Sequence, residues 1–212
     1  MSKLHDSPQG GSGLLAIFCD LDAPDRADFR PWLAEDMYPA RKAIGFNACA
    51  SYDRITGDGQ QFLTLYEMPS LGHLYGEPYQ ALRRSRGPRD AAYHEKFRNP
   101  DRYTLAWSGP ELAGSGGDCQ ALAPFIQIER FDLHACDIQT FNIWFVTAYP
   151  PMLAQQSDAV RVRRYLSMEG GVSHVVLHEA TDATPLEDDG VGDLGVLPTQ
   201  HQSGRYRRVI TS

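Results

Sequence analysis

A set of residues early in the chain recurs at a constant distance later in it, and this constrains the fold more than any other feature. Phe29, Trp32, Pro39 and the Leu-Tyr-Glu triplet at 65–67 are each followed 112 positions later by Phe141, Trp144, Pro151 and the Leu-His-Glu triplet at 177–179. The chain has only three tryptophans, so two of them in the same register are hard to attribute to chance. A fixed period of this kind indicates one structural unit encoded twice.

Each half has the same predicted order of elements. The first half begins with an apolar run at 14–19, which predicts a strand covered on both faces. A helix follows, with the stripe Phe29, Trp32, Leu33, Met37 and Ala40, and Pro39 is expected to end or kink it. Further strands are predicted at 46–55, 62–66 and 103–107, with a glycine turn at 57–59 and a broken helical region from 69 onward.

The second half repeats this order. Strands are predicted at 125–131, 160–166, 173–179 and 206–211, with a helix at 137–148 and a loop at 183–204 in place of a second helix. The order strand-helix-strand-strand-helix-strand is the ferredoxin-like βαββαβ pattern. The predicted class is α+β, with two tandem ferredoxin-like repeats whose antiparallel sheets pack together as a barrel within one chain.

Composition and segment boundaries limit the classes of function. We expect a disordered tail at 1–12, a first repeat at 13–110, a Gly/Ser linker at 111–123 and a second repeat at 124–212. A net charge of -7 argues against nucleic acid or an anionic membrane as a partner. Neither an apolar leader nor a run of about 18 apolar residues is found, which predicts a cytoplasmic protein.

The residues also resemble a known family. The stretch 29–39, the Gly45-Phe46 pair, Tyr52 and the strand 62–67 are similar to EthD-like members of the dimeric α/β-barrel superfamily, and the second half keeps Trp144, Pro151, Arg164-Tyr165 and the triplet 177–179. The resemblance implies a small organic ligand bound between helices and sheet, without metal or dinucleotide. It implies activities such as lactone isomerisation, cofactor-free oxygenation, decarboxylation or polyketide cyclisation.

The chain departs from this family at one position that matters for chemistry. Members of the family often carry a histidine five residues after the tryptophan, and this chain has Met37 there in the first half and Tyr149 in the second. Met37 can only line a pocket, whereas the Tyr149 hydroxyl can donate a proton or a hydrogen bond. The competing interpretation is that Tyr149 is a core tyrosine bonded to the backbone.

His178 is the second candidate for acid-base chemistry, because its ordinary pKa lies near neutrality. His178 and Glu179 are neighbours on a strand, as are Tyr66 and Glu67, so each pair is expected to point to opposite faces. An equally good interpretation is that His178 fills a polar position between the two sheets.

The second half has several polar strand positions. If Arg161, Arg163, Tyr165, His174, His178 and Glu129 all face the space between the sheets, they form an anion site or, as is more common, a buried salt-bridged layer with Glu129 and Glu179 as partners. The predicted ligand-binding residues are Trp32, Met37, Tyr66, Trp144, Arg164 and Tyr165.

Two hypotheses for function remain open, beside a purely structural role as a subunit of a larger assembly. One is a cofactor-independent enzyme, active as a monomer or homodimer on a small aromatic, lactone or polyketide-like compound, with Tyr149 and His178 as catalytic residues. The other is a non-catalytic binding or accessory protein that has lost the catalytic histidine of the family. No metal site is expected, since no Cys/His spacing typical of metal ligands is found.

Overall fold

The structure, a computed structural model, describes residues 3–8, 10–113, 122–156, 160–183 and 194–212. The strands are β1 (Lys3–His5), β2 (Gly13–Asp20), β3 (Ala48–Gly57), β4 (Phe62–Met68), β5 (Arg98–Trp107), β6 (Glu111–Ala113), β7 (Phe125–Asp132), β8 (Val160–Glu169), β9 (His174–Ala180) and β10 (Gln200–Thr211). The α-helices are α1 (Arg26–Trp32), α2 (Tyr38–Ala43), α3 (Gly72–Tyr75), α4 (Glu77–Arg84), α5 (Pro88–Lys96), α6 (Ile138–Thr147) and α7 (Tyr149–Gln156). The class is α+β. In this part of the chain, no helix is long and apolar enough to cross a membrane.

An antiparallel barrel of eight strands is the centre of the fold. Around it the strands follow the order β8, β5, β2, β4, β3, β10, β7 and β9, and β9 pairs with β8 to close the ring. Strands from the two halves meet where β3 pairs with β10 and where β5 pairs with β8. Because the ring is closed, none of its eight strands is left with an unpaired edge.

The two faces of each strand belong to different cores. One apolar cluster takes side chains from all eight barrel strands, including Leu14, Leu65, Ile126 and Leu177, and fills the barrel interior. Two outer clusters lie under the helices: one around Phe29 and Trp32 in the first half, and one around Phe141 and Phe145 in the second. Strand β2 is therefore buried on both faces, as its continuous apolar sequence predicts.

The first helix differs from its prediction. It does not end at Pro39 but continues to Ala43, and its irregular part is a π-helical turn at Leu33–Met37 directly before α2. In that turn the Tyr38 N–H donates to the Leu33 carbonyl, which is the wider spacing of a π-helix. Pro39 lacks an N–H, and its missing hydrogen bond falls where the regular helical ladder is already interrupted.

The segments at the ends of the two halves also differ from the prediction. Lys3–His5, predicted to lie in a disordered tail, pairs with Glu111–Ala113, predicted to be linker. The rest of the predicted linker up to residue 121 lies outside the described residues, as do residues 184–193 of the predicted loop. The last strand starts at Gln200 and is longer than predicted, because residues 200–205 pair with β7, and residues 204 and 205 pair with β3 as well. The predicted turn is confirmed, with positive φ at Gly57 and Gly59.

A buried ion network spans the barrel interior. Arg163 donates through Nε and Nη2 to both carboxylate oxygens of Glu179, at 2.6 and 2.9 Å, and Arg161 does the same at 3.0 and 2.8 Å. The remaining Nη1 of Arg163 donates to Glu67, which belongs to the first half of the chain. All four side chains are at most 3% exposed, so the network is a salt-bridged layer between the halves.

The predicted membership of this layer was only partly right. Arg161, Arg163 and Tyr165 face the interior and Glu179 is their partner. His174, His178 and Glu129 instead face the helices, because they occupy the alternate positions of β9 and β7. The other carboxylates of the layer are Glu67 and Glu111, of which Glu111 lies 4.0 Å from Arg161.

Removing Glu67 tests how much this network contributes to the free energy of unfolding. Glu67→Ala leaves the buried Arg163 with Glu179 alone, which it shares with Arg161, and we expect it to lower the free energy of unfolding by about 3–5 kcal/mol. The change is measured by urea denaturation. As a matched control, Glu77→Ala breaks the exposed Arg84–Glu77 pair and should leave stability almost unchanged. The double variant Glu67→Leu/Arg163→Met should recover most of the loss. Equal small effects of Glu67→Ala and Glu77→Ala would contradict a structural role for the network.

Candidate functional site

The two predicted catalytic residues are hydrogen-bonded to each other beneath the second pair of helices. Tyr149 is the first residue of α7, and the alternation of β9 turns His178 toward it. The Tyr149 hydroxyl lies 2.7 Å from Nε2 of His178, and both residues are 1% exposed. A helix start and a strand interior are rigid positions, so the separation of the two groups is held by the backbone.

Burial sets the protonation state of this pair. The pKa of His178 is lowered to about 4, chiefly because burial penalises the imidazolium, and partly offset by the negative charge of Glu129. The ring is therefore neutral near pH 7, and in the tautomer with its proton on Nδ1, its Nε2 accepts the hydrogen bond from the Tyr149 hydroxyl. A neutral imidazole in contact with a phenol can take up a proton that arrives through the phenol.

Aromatic rings cover the pair. The ring of Trp144, one helical turn before Tyr149, stacks on the Tyr149 ring with centroids 4.7 Å apart, and Phe145 lies 5.6 Å from it. Gly195 packs on the face of Trp144 with φ +67°, and a Cβ there would overlap the indole ring. This backbone conformation and close approach require glycine.

Glu129 is the centre of a polar cluster on the same side of the sheet. It accepts hydrogen bonds at 2.6 Å from Gln127, Ser203 and His201. Burial opposes its ionisation, but these hydrogen bonds outweigh burial and lower the pKa of Glu129. The hydrogen bond with Glu129 raises the pKa of His201, whose side chain is 35% exposed. The cluster thus reaches from solvent toward His178.

Sequence reasoning missed most of this cluster. Gln127 and Glu129 are two residues apart on β7, and His201 and Ser203 are two residues apart on β10, so each pair shares one face of its strand. His201 and Ser203 were assigned to the predicted loop at 183–204, which concealed the spacing. Extending the last strand six residues toward the N-terminus would have revealed it.

The remaining predicted site residues do not join Tyr149 and His178. Trp32 stacks on Tyr93 at 4.6 Å in the first half, where Met37 and Tyr66 lie in the same apolar cluster. Tyr165 faces the barrel interior, with the Arg163 guanidinium 5.8 Å from its ring. The predicted ligand-binding set is therefore divided among both helical layers and the barrel interior, because adjacent strand residues point to opposite faces.

Arg164 lies closer to the pair but is engaged in packing. Its guanidinium donates to Asn142 at 2.7 Å and to the Gly109 carbonyl at 2.5 Å. It also lies 4.7 Å from the centre of the Phe145 ring. These contacts connect α6 to the segment after β5, so Arg164 supports the helix that carries Trp144.

Open clefts occur elsewhere on the described surface. One of about 500 Å³ is lined by Met37, Arg41, Leu82 and Asp90 in the first half. Another of about 510 Å³ is lined by Trp107, Gly109 and Val146. The linings of these two clefts do not include Trp144, Tyr149 or His178, and with the described residues in place Tyr149 and His178 are each 1% exposed. Within the described ranges, no three His, Cys, Asp or Glu side chains gather as metal ligands.

The lowered pKa of His178 predicts a pH-dependent stability. The unfolded chain binds the proton with an ordinary pKa of 6.5, so the contribution of the neutral ring is complete above that pH and is lost as the pH falls toward about 4. We expect a loss of up to about 3 kcal/mol in the free energy of unfolding over this interval.

Urea denaturation of the wild type and His178→Gln across this pH range measures the effect. Other groups also titrate there: the pKa of His174 is lowered, and that of His201 is raised. The wild type and His178→Gln share these groups, so the difference between their two stability curves reports the titration of His178. Parallel curves would contradict a buried neutral imidazole.

Comparisons with known proteins agree with the observed fold. A structure described as an anthrone oxidase-like protein matches over 100% of this chain and 96% of its own, with a TM-score of 0.65 and 12% identity. A candidate monooxygenase from Lactobacillus acidophilus matches over 95% and 96%, with a TM-score of 0.59 and 9% identity. A candidate monooxygenase from Fusobacterium nucleatum matches over 95% and 94%, with a TM-score of 0.62 and 7% identity.

Sequence comparisons give no further assignment. Neither a protein-family model nor a curated protein matches the chain. At these identities the structural matches define the fold and not the activity. The chain has the α+β fold of dimeric α/β-barrel proteins, with its eight-stranded antiparallel barrel closed within one polypeptide.

Proposed function

We propose that the protein is a cofactor-independent enzyme that moves protons on a small aromatic or polyketide-like compound, with oxygenation as the reaction. The observation that carries this proposal is the buried hydrogen bond of 2.7 Å between the Tyr149 hydroxyl and the neutral His178. The fold is also that of proteins described as anthrone oxidase-like and as candidate monooxygenases. Their descriptions favour oxygenation over the isomerase, decarboxylase and cyclase activities that the same fold accommodates.

The residues have distinct roles in this mechanism. Tyr149 takes the proton of an activated C–H group of the substrate and passes its own phenolic proton to Nε2 of His178. The negative charge of Glu129 favours the imidazolium that results, and His201 links Glu129 to solvent. Trp144 stacks on the Tyr149 ring and holds the phenol in place.

The chemistry balances without a further reductant. Loss of the proton leaves a carbanion, stabilised by the aromatic rings of the substrate, whose electrons reduce O₂. A methylene group becomes a carbonyl, one oxygen atom enters the product, and the other leaves as water with both methylene hydrogens. His178 returns its proton as water forms, so the protein is unchanged after each turnover.

A non-catalytic binding protein is the second candidate. It is favoured by the 1% exposure of both Tyr149 and His178, and by the presence of Met37 rather than a histidine beside the open cleft of the first half. In this account the Tyr149–His178 pair is a structural hydrogen bond. Ligands then bind in the clefts and leave unchanged.

We also infer that the chain is a tandem duplicate of one EthD-like unit. The pairing order of strands is β5, β2, β4, β3 in one half and β10, β7, β9, β8 in the other, which is fourth, first, third, second in each case. The residue pairs related by 112 positions support this inference, since Trp32 and Trp144 both lie on the helix that follows the first strand of their half.

Activity measurements separate the two functions. Oxygen uptake with anthrones and naphthols is measured on protein dialysed against a chelator. We expect Tyr149→Phe and His178→Gln each to lower kcat by about 10²–10⁴-fold, the range for general acid-base catalysis. Tyr52→Phe is the matched control: it also removes one buried tyrosine hydrogen bond, to the Ala123 carbonyl, but in the barrel interior. It should leave kcat unchanged.

Three results would count against the enzyme. These are turnover that survives both substitutions, an equal loss in Tyr52→Phe, or compounds that bind without consuming oxygen. The last of these, with binding unaffected by Tyr149→Phe, would favour the binding protein.

A further inference from the structure

The cleft of the first half contains a buried cation without a matching anion. Arg41, in the last turn of α2, is only 7% exposed and lines this cleft. Among the residues that the structure describes, its Nε has no hydrogen-bond partner, and no carboxylate forms an ion pair with it. A buried charge normally requires a partner, because its loss of hydration costs several kcal/mol.

The other charged side chains of the cleft each lie within 4.0 Å of a group that can carry the opposite charge. Arg89 donates to Glu35 at 2.9 Å and to Asp36 at 3.0 Å. Asp90 lies 3.1 Å from His94 and 3.9 Å from Arg86. Burial opposes ionisation of Asp90, but its pKa is lowered by His94, by Arg86 and, more weakly, by Arg41. Among the described residues that line this cleft, Arg41 is therefore the cation without a carboxylate within ion-pair distance.

The guanidinium is held in place by aromatic rings. Its central carbon lies 5.7 Å from the centre of the Tyr66 ring and 5.2 Å from that of Tyr79. These cation–π contacts stabilise the charge partially and fix the plane of the group. They leave its N–H donors available for a planar anion, which a guanidinium binds through two parallel hydrogen bonds.

The rest of the cleft fits an apolar body. Met37, Ala40, Leu82 and Pro88 are part of its lining, and its volume of about 500 Å³ is typical of sites for small organic molecules. The methionine side chain adapts to ligands of different shape. In the second half, the residue 112 positions after Arg41 is Leu153, which is 1% exposed in the apolar core.

We propose that this cleft is a binding site for a small organic carboxylate, with Arg41 binding the carboxylate and the Met37 side of the cleft enclosing an apolar body. The site is separate from the Tyr149–His178 pair and does not depend on the proposed oxygenation. It gives the position of Met37 a role in binding, without acid-base chemistry.

Calorimetry with 2-naphthoate and its neutral analogue 2-naphthamide tests this site. The wild type is expected to bind 2-naphthoate at least tenfold more tightly than 2-naphthamide. Arg41→Leu should abolish this preference, and Arg41→Lys should retain a reduced one, since it keeps the charge but loses the planar fork. Arg84→Gln, which removes an exposed arginine of the adjacent α4, should bind both probes as the wild type does.

Thermal unfolding without ligand controls for folding. Because leucine already occupies the corresponding position 153, and the substitution removes an unpaired buried charge, Arg41→Leu should melt at or above the temperature of the wild type. If Arg41→Leu does not fold, Arg41→Lys tests the proposal alone, and its preference for 2-naphthoate over 2-naphthamide should be reduced. Equal wild-type affinity for the two probes, no binding of either, or a full preference in Arg41→Leu or Arg41→Lys would overturn the proposal.

Discussion

The contact of Arg163 with Glu67 and Glu179 is the interaction on which the rest of the structure depends. It links the two halves of the chain inside the barrel, where both carboxylates and both arginines are shielded from water. Such a network costs desolvation energy, so its geometry must be nearly complete to persist. Its consequence for function is that the interior charges are used for structure, and chemistry is left to the helical side of each sheet.

Strand alternation produces this division. In the triplets at 65–67 and 177–179, the glutamate points into the barrel and the preceding residue points toward the helices. The helical side then differs between the halves. The first half places Met37, Tyr66 and Arg41 there, which can bind an anion but have no acid-base pair. The second places Tyr149 and His178 there, which can transfer protons.

The barrel, the faces of Glu67 and Glu179 and the turn at Gly57 and Gly59 could be predicted because each follows from local periodicity or from the 112-residue register. The Tyr149–His178 contact is harder to predict from the sequence. The two residues are 29 positions apart, and only the packing of α7 on β9 brings their side chains together.

The role of Arg41 was not foreseen for a different reason. In sequence it is one of several arginines near a helix end, and its burial depends on α4, which supplies Tyr79. The predicted ligand-binding set contains both Arg164 and Tyr165, which cannot line one site because consecutive strand residues point to opposite faces. His201 and Ser203, the partners of Glu129 on β10, lie in a segment that the sequence predicts to be a loop, so their shared face cannot be recognised from it.

Nuclear magnetic resonance of the protein with ¹⁵N-labelled histidine tests the central claim most directly. The account predicts that His178 near pH 7 is a neutral ring with the proton on Nδ1 and with Nε2 unprotonated, and that it stays neutral until the pH approaches its pKa of about 4. An imidazolium at pH 7, or a proton on Nε2, would contradict the hydrogen bond from Tyr149 and the chemistry built on it.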